Sequence, residues 1–394
     1  MAGPLASLKI LDFSTLIPGP FATMHLADWG ADVLRIEAPD RPDMMRTMPP
    51  FDGKHAAWHS AINRNKRSLA LNLKHPAAAD VVKRLVRRYD IVLEQFRPGV
   101  MDRLGVGYAA LRAANPRLIY CAISGYGQDG PARDRAAHDI NLVAQSGIAS
   151  HSGARQAGPP PLGVQIADMG SSYAAISGIL AAVIHRSQTG EGQFVDVSMF
   201  DTALAWNTLA ASQYLVGGVE PQREGETLNG GSYYGYYRTG DDRYLAVGSL
   251  EPKFWIGFCE AVERPDLIAL GLDAGSEAQA KAKAELANVI GQRTLAEWEA
   301  LFAPLDLCVE PVLTTAEACA HPQTRHRGMV VDVPKPEGGA QRQVASPLRF
   351  SAAQPAYRHI GATLGEHTAG IMAELDYSAE EVEALAAAGV FGTE

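Results

Sequence analysis

"LKILDFSTLIPGPFATMHLADWGADVLRIEAP", residues 8–39, carries the alternation that decides the fold. "LKILDFS" (8–14) is a short apolar run of strand length. "GPFATMHLADWGA" (19–31) has helical spacing, with Pro18 and Pro20 near its start and Gly30 near its end, where those residues serve a helix. "DVLRIEAP" (32–39) returns to strand. A strand, a crossover helix and a second strand form a βαβ unit, the seed of a parallel sheet.

The pattern recurs downstream. "SLALNLK" (68–74) and "DIVLEQF" (90–96) read as strands flanking the amphipathic helix "PAAADVVKRLVRRY" (76–89). The helix "AALRAANP" (109–116) leads into the strand "RLIYCAISGYG" (117–127). After a loop at 128–137, the small-residue helix "GSSYAAISGILAAVIHRSQTG" (170–190) should stop at Gly190. The strand "GQFVDVSMFD" (192–201) and an apolar helical stretch (202–218) follow. Residues 219–240 are rich in glycine, tyrosine and charge, and read as a crossing into a second domain that opens with the strand "YLAVGSL" (244–250). Residues 252–305 are mostly helical in pattern, and the tail ends in the helix "SAEEVEALAAAG" (378–389).

Composition narrows the function classes. A net charge of −9 argues against a broad nucleic-acid footprint but leaves room for a local basic pocket. Cys121, Cys259, Cys308 and Cys319 are scattered without metal or redox spacing, so reduced thiols are expected. The stretch "MAGPLASLKILDFS" lacks the basic-then-apolar order of a secretory leader. No apolar run reaches the roughly 18 residues of a membrane span, and a cytoplasmic enzyme with no membrane partner is the expectation. The turn after the first strand, "STLIPGPFA", is no dinucleotide fingerprint, and a phosphate-binding GxxxxGK[ST] loop is missing. That argues against nicotinamide redox chemistry. His151, His321 and His326 lack catalytic-zinc spacing, so no metal site is expected.

Two stretches carry the candidate chemistry. "RAAHDINLVAQSG" (135–147) sets His138 beside Asp139, and "GVQIADMGSS" (163–172) ends an apolar run on Asp168. A loop histidine commonly makes a structural hydrogen bond, and Asp168 sits where the N-cap of the following helix belongs. The other reading pairs the two as acid/base groups across a substrate carbon. The small residues after Asp168 would admit a ligand close to the backbone, and the helix amides would stabilise a negative oxygen there.

"ILDFSTLIPGPFATMHLADWGADVLRIEAP", "NRNKRSLALNLK", "VLEQFRPGVMDRLGVGY", "LIYCAISGYGQDGP", "ADMGSSYAAISGILAAVIHRSQTGEGQFVDVSMFD" and "CVEPVL" occur in this order over nearly the whole chain to about residue 350. Together they resemble the class III CoA-transferase (CaiB/BaiF) family, which also contains the α-methylacyl-CoA racemases. The resemblance implies a doubly wound, Rossmann-like α/β domain built from both ends of the chain, with a smaller α+β domain inserted and two chains interlocked as a homodimer. The implied boundaries are 1–218 for the first part of the CoA-binding domain and 219–306 for linker and small domain. Residues 307–394 would then return to the large domain and end in a helical tail.

Within that family the residue matching Asp168 serves two chemistries. In the transferases it is a nucleophile that carries acyl and then CoA. In the racemases it is one of two acid/base groups, partnered by a histidine in a "GHDxNY" block that matches "AHDINL" (137–142) here, with Ala137 and Leu142 replacing the glycine and tyrosine. Glu251, in "VGSLEP", matches a racemase glutamate expected close to the histidine. "GSS" after Asp168 departs from the racemases' triple glycine, and "LVAQSG" is transferase-like. The racemase pattern is the better match: His138 and Asp168 would serve opposite faces of the α-carbon, with Glu251 and Asp139 orienting the imidazole. The substrate is then an acyl-CoA thioester, and no further cofactor is expected. Arg35, Lys74, Arg97 and Arg103 are the phosphate candidates, joined by Asn72, Leu73, Ala137 and Asn141 as CoA contacts. Ala38 stands where the racemases often carry an arginine.

Overall fold

The structure is a computed structural model and describes residues 3–392. Six strands form its main sheet: β1 (Lys9–Asp12), β2 (Asp32–Glu37), β3 (Arg67–Ala70), β4 (Ile91–Glu94), β5 (Ile119–Ser124) and β6 (Phe194–Ser198). All neighbours run parallel, in the order β3-β2-β1-β4-β5-β6. Every residue of β4 and β5 is buried, which is why both read as unbroken apolar runs.

Helices α1 (Pro18–Asp28), α2 (Ala78–Leu85), α3 (Tyr108–Ala114), α4 (Asp139–Gln145), α5 (Ile166–Thr189) and α6 (Met199–Trp206) accompany these strands. α1 buries all of its residues except Phe21. α5 begins four residues before the sequence pattern suggests, so Asp168 lies inside its first turn rather than at its N-cap. A Cβ on Gly178 would stand 2.7 Å from Val195 Cγ1, so α5 can lie this close to β6 only because that position is glycine. Among the described residues α5 is also the one helix long and apolar enough to cross a membrane, which the sequence reading missed. Its alanines, glycines and serines make no continuous large-apolar run, and Ala167, Ala175, Ile179 and Ala182 are buried.

The chain divides into two compact units. One gathers residues up to 142, 164–205 and 322 onward; the other holds 143–163 and 206–321. The second unit therefore starts before residue 219 and extends past 306, and it also takes in the segment 143–163. Residues 219–240 belong wholly to it and are no crossing segment. It contains α7 (Thr208–Gly217), the antiparallel strands β7 (Gly235–Arg238), β8 (Tyr244–Val247) and β9 (Val309–Pro311), and helices α8 (Pro252–Ala261), α9 (Ser276–Ile290) and α10 (Leu295–Phe302). Trp255, Phe258, Phe302 and Trp298 stack successively through its core.

The C-terminal segment returns to the first unit without adding a strand to the main sheet. It forms a separate antiparallel hairpin of β10 (Val330–Pro334) and β11 (Ala340–Val344), then α11 (Thr368–Glu374) and α12 (Ala379–Ala387). Only every second residue of β11 is buried, the pattern of a one-sided ribbon. Instead of pairing with β3, the segment caps it: the Ser68 and Ala70 amides donate to His367 Nδ1 and Thr368 Oγ1. Ile371 and Met372 of α11 enter the same core as Leu69 and Val82.

Candidate active site

Strand order reverses between β1 and β4, where loops diverging from the carboxyl ends leave the ligand crevice of an open α/β sheet. The loop after β1 is built for close approach. A Cβ at Gly19 would lie 2.2 Å from Ser14 Cβ, and the Gly19 amide donates to Gln95 Oε1 (3.0 Å) just past β4. From the other side, Ser172 Oγ of α5 donates to Pro18 O (2.7 Å) and Asp168 O (2.9 Å). The first turn of α5 is thereby stitched to the loop at the point of reversal.

Asp168 sits in that turn, half-buried and without a cationic partner. Burial, with the charge of Asp139 adding to it, pushes its carboxyl up to about 7. Asp139 opens α4, and its Oδ1 accepts from the Ala167 amide (2.7 Å) and the Asp168 amide (3.2 Å). His138, the preceding residue, is exposed, and its own amide donates to Asn141 Oδ1 (3.0 Å). His138, Asp139 and Asp168 are therefore brought to one corner of the first unit.

Two expectations change here. The Asp139 carboxylate is engaged with the amides of α5 and not with the imidazole of His138. Those two amides are in turn occupied, so they are not free to meet a negative oxygen of a ligand. Glu251 belongs to the second unit, exposed at the residue before α8.

The phosphate candidates separate sharply. Arg35 lies inside the protein, bonded through Nη2 to Asp43 Oδ2 (2.5 Å), near Glu37 (3.5 Å) and beside His59 Nε2 (3.1 Å). It is a structural cation, buried among acids and away from any phosphate in solvent. β2 is covered on both faces, so an arginine in the strand must be buried and paired. Leu73 packs against the main core, and Asn72 Oδ1 is spent on the Lys74 amide (3.1 Å). Lys74 is exposed, with Asp40 at 3.7 Å. Ala137 packs beside Gly125, and Asn141 caps His138 as described. Arg97 stays exposed on the loop beyond β4, and Arg103 is exposed at the end of the short helix Val100–Arg103 that follows. A Cβ at Gly99 would have Arg103 Nη1 at 3.5 Å and Arg133 Nη2 at 4.0 Å, so two guanidinium groups converge on one turn. Sequence reading missed Arg133; its only signal was its place in the loop following "GYGQDG".

Also unread was a buried charge cluster under the loop after β1. Asp12 Oδ2 takes Lys66 Nζ (3.1 Å) and Thr23 Oγ1 (2.5 Å), while Lys66 also donates to Pro20 O (2.9 Å) and Asn63 Oδ1 (2.9 Å). The "NRNKRS" stretch held the cation but gave no hint of its partner. No group of three or more His, Cys, Asp or Glu able to hold a metal occurs among the described residues.

Comparison with known proteins agrees with this architecture. Residues 5–368 match the family described as CoA-transferase family III. The human α-methylacyl-CoA racemase is 34% identical, the alignment covering 97% of this chain and 96% of that one. The human succinyl-CoA:glutarate CoA-transferase is 31% identical over 98% and 90%, respectively. The crystal structure of a CAIB/BAIF family protein from Brucella suis superposes with a TM-score of 0.84 at 29% identity, covering 95% of this chain and all of that one. With transferases and racemases alike matching end to end, the chain belongs to CoA-transferase family III.

Proposed function

We propose that the protein epimerises 2-methylacyl-CoA thioesters. A proton α to a thioester is weakly acidic, so inversion at that carbon needs a base on one face and an acid on the other. One group removes the proton, the C–H electron pair moves onto the carbonyl oxygen as an enolate, and the pair returns to carbon as the second group delivers a proton. His138 and Asp168 fill these roles, exchanging them with the direction of turnover. The observation that carries this reading is Asp168, whose carboxyl at about 7 is populated in both protonation states near neutral pH. Arg97 and Arg103 take the CoA phosphates in this reading.

The chain acts as a homodimer in this reading. None of the ten residues of α7 is buried, although they include Leu209, Tyr214, Leu215 and Val216. A helix that exposes Leu209, Tyr214, Leu215 and Val216 is suited to a second copy.

The transferase chemistry of the human glutarate-utilising relative is the second reading. There the Asp168 carboxylate would attack the thioester carbonyl and CoA thiolate would leave, giving a mixed anhydride. Incubating a 2-methylacyl-CoA in deuterated water, with and without a free carboxylate, separates the two. Racemisation predicts deuterium at the α-carbon without acceptor, and a His138→Ala loss of about 10²–10⁴-fold. Acceptor-dependent CoA transfer with no exchange, and a hydroxylamine-trapped Asp168, would establish the transferase instead.

A further inference from the structure

We propose that Asp139 is a positioning residue: it takes the amino-terminal dipole of α5 for itself and so withholds it from Asp168, which remains able to carry a proton. The inference rests on Asp168 acting as an acid/base group and names what sets it up for that work. An aspartate in the first turn of a helix ordinarily gains from the unpaired amides and positive end of the dipole, which favour its charged form. Here the first-turn aspartate receives no such help. The helix has no side-chain cap from its own N-cap residue, Gln165. Its Ala167 and Asp168 amides instead point at Asp139 Oδ1, at 2.7 and 3.2 Å, from a residue 28 and 29 positions away in sequence. The next amide, of Met169, is taken by Gln165 O (2.9 Å).

The carboxylate that occupies the dipole also stands beside Asp168 as a like charge. Burial and that charge act in the same direction, and the Asp168 carboxyl rises to about 7. Other elements packed on α5 offer nothing to offset this. The turn entering α1, Thr15–Pro20, has no ionisable side chain, and His25 further along α1 is pushed down to about 4 by burial and Arg64, so it is uncharged. Of the strands beneath α5, β5 contributes Cys121, kept neutral by burial, and β6 contributes Asp196, which accepts from the Gln128 amide (3.0 Å). His138 adjoins Asp139 in sequence and is exposed. Asp139 is thus the one charge acting on Asp168 among the described residues, and it acts through contacts that also fix where α5 starts.

Asp139→Asn separates the two effects, because an amide oxygen can still accept both N–H groups but carries no charge. The measurement is a carbon-13 or difference-infrared titration of the Asp168 carboxyl in the whole protein, assigned by its disappearance in Asp168→Asn. Asp139→Asn should lower the midpoint below the parent's value of about 7 by removing the like charge alone, with thermal unfolding close to that of the parent. The limb of the α-proton exchange profile that follows Asp168 should move down with it. Asp139→Ala should lower the midpoint too and also lower the unfolding temperature, since it loses the cap. An Asp168 midpoint unchanged in Asp139→Ala, which frees both amides and removes the charge, would overturn the inference, as would an ordinary carboxylate midpoint in the parent. If the midpoint falls as expected but the parent exchanges no α-proton, the role of Asp139 stands and the racemase reading fails.

Discussion

Asp12 and Asp168 lie on either side of the loop that enters α1, and burial pushes both carboxyls towards their neutral forms. Their environments then diverge. Asp12 is fully buried, yet its carboxyl is held below the ordinary range, because Lys66, Arg35, Ser14 and Thr23 together outweigh the desolvation. Asp168 is less buried, and among the described residues it has no cation and the one charge acting on it has its own sign. Pairing rather than depth of burial decides which acid is locked and which is free to exchange a proton. The paired acid ties β1, α1 and the Lys66 region together; the unpaired one, half-buried in the first turn of α5, keeps a usable carboxyl.

The sharpest way to break this contrast is to make one substitution at both sites. Asp12→Asn leaves Lys66 buried without its counter-charge and should cost about 3–5 kcal/mol in urea unfolding. Asp12 has a lowered carboxyl, so its contribution is present above the unfolded value of 3.8 and disappears as pH falls through and below it. The gap between parent and variant should therefore close in acid. Asp168→Asn should fold with little loss, yet reduce α-proton exchange by about 10²–10⁴-fold. A stable Asp12→Asn protein, or an Asp168→Asn protein that exchanges normally, would show that the two acids are not divided in this way.

Glu94 sharpens the comparison from within the core. At the end of β4 it is nearly as buried as Asp12, but no cation acts on it: burial pushes it up to about 8, with the Phe96 amide opposing the rise and Asp102 and Asp196 adding to it. An acid raised in the folded state has its full contribution below the unfolded value of 4.5 and loses it as pH rises through about 8. Glu94→Gln keeps an acceptor for the Phe96 amide (2.6 Å in the parent) and cannot ionise. Relative to the parent it should gain stability between about pH 5 and 8, by on the order of 2 kcal/mol. Parallel unfolding curves at pH 5 and pH 8 would show that Glu94 is ionised in the folded protein after all.

How far the sequence could be read follows the same division. Apolar runs such as "RLIYCAISGYG", bounded by glycine and proline, marked the parallel strands because a doubly covered sheet demands them. His138, Asp139 and Asp168 were legible as a group through their motifs. What Asp139 does was not, since its partners are amides 28 and 29 positions away and an amide leaves no mark on composition. Arg35 was misread for a related reason: a cation in a strand looks the same in sequence whether it meets a phosphate or, as here, Asp43 and Glu37. The return of the C-terminal segment to the first unit was legible, but not that it caps the β3 edge, because sequence order says which elements exist and not which edge of a sheet they cap.

Arg35 and Arg103 extend the contrast to cations, where the expected effect is smallest. Arg35 is paired and buried, so replacing it should disturb the fold before it disturbs ligand binding. Arg103 is exposed and shares the Gly99 turn with Arg133, whose nearest acid is Asp134 at 3.6 Å. Two like charges at one turn repel each other until an anion arrives between them, and guanidinium groups suit phosphate oxygens. Arg103→Ala and Arg133→Ala should each weaken CoA binding by roughly 3–10-fold at low salt while leaving the unfolding midpoint unchanged. Because both side chains are in solvent, the difference from the parent should shrink as ionic strength rises and the Debye length falls below about 10 Å. Calorimetric titration with CoA at two salt concentrations reads both effects together. Equal affinities for parent and variants at low salt would move the phosphates away from this turn, whereas a loss that ignores salt would mean that the arginines shape the loop without meeting the ligand's charge.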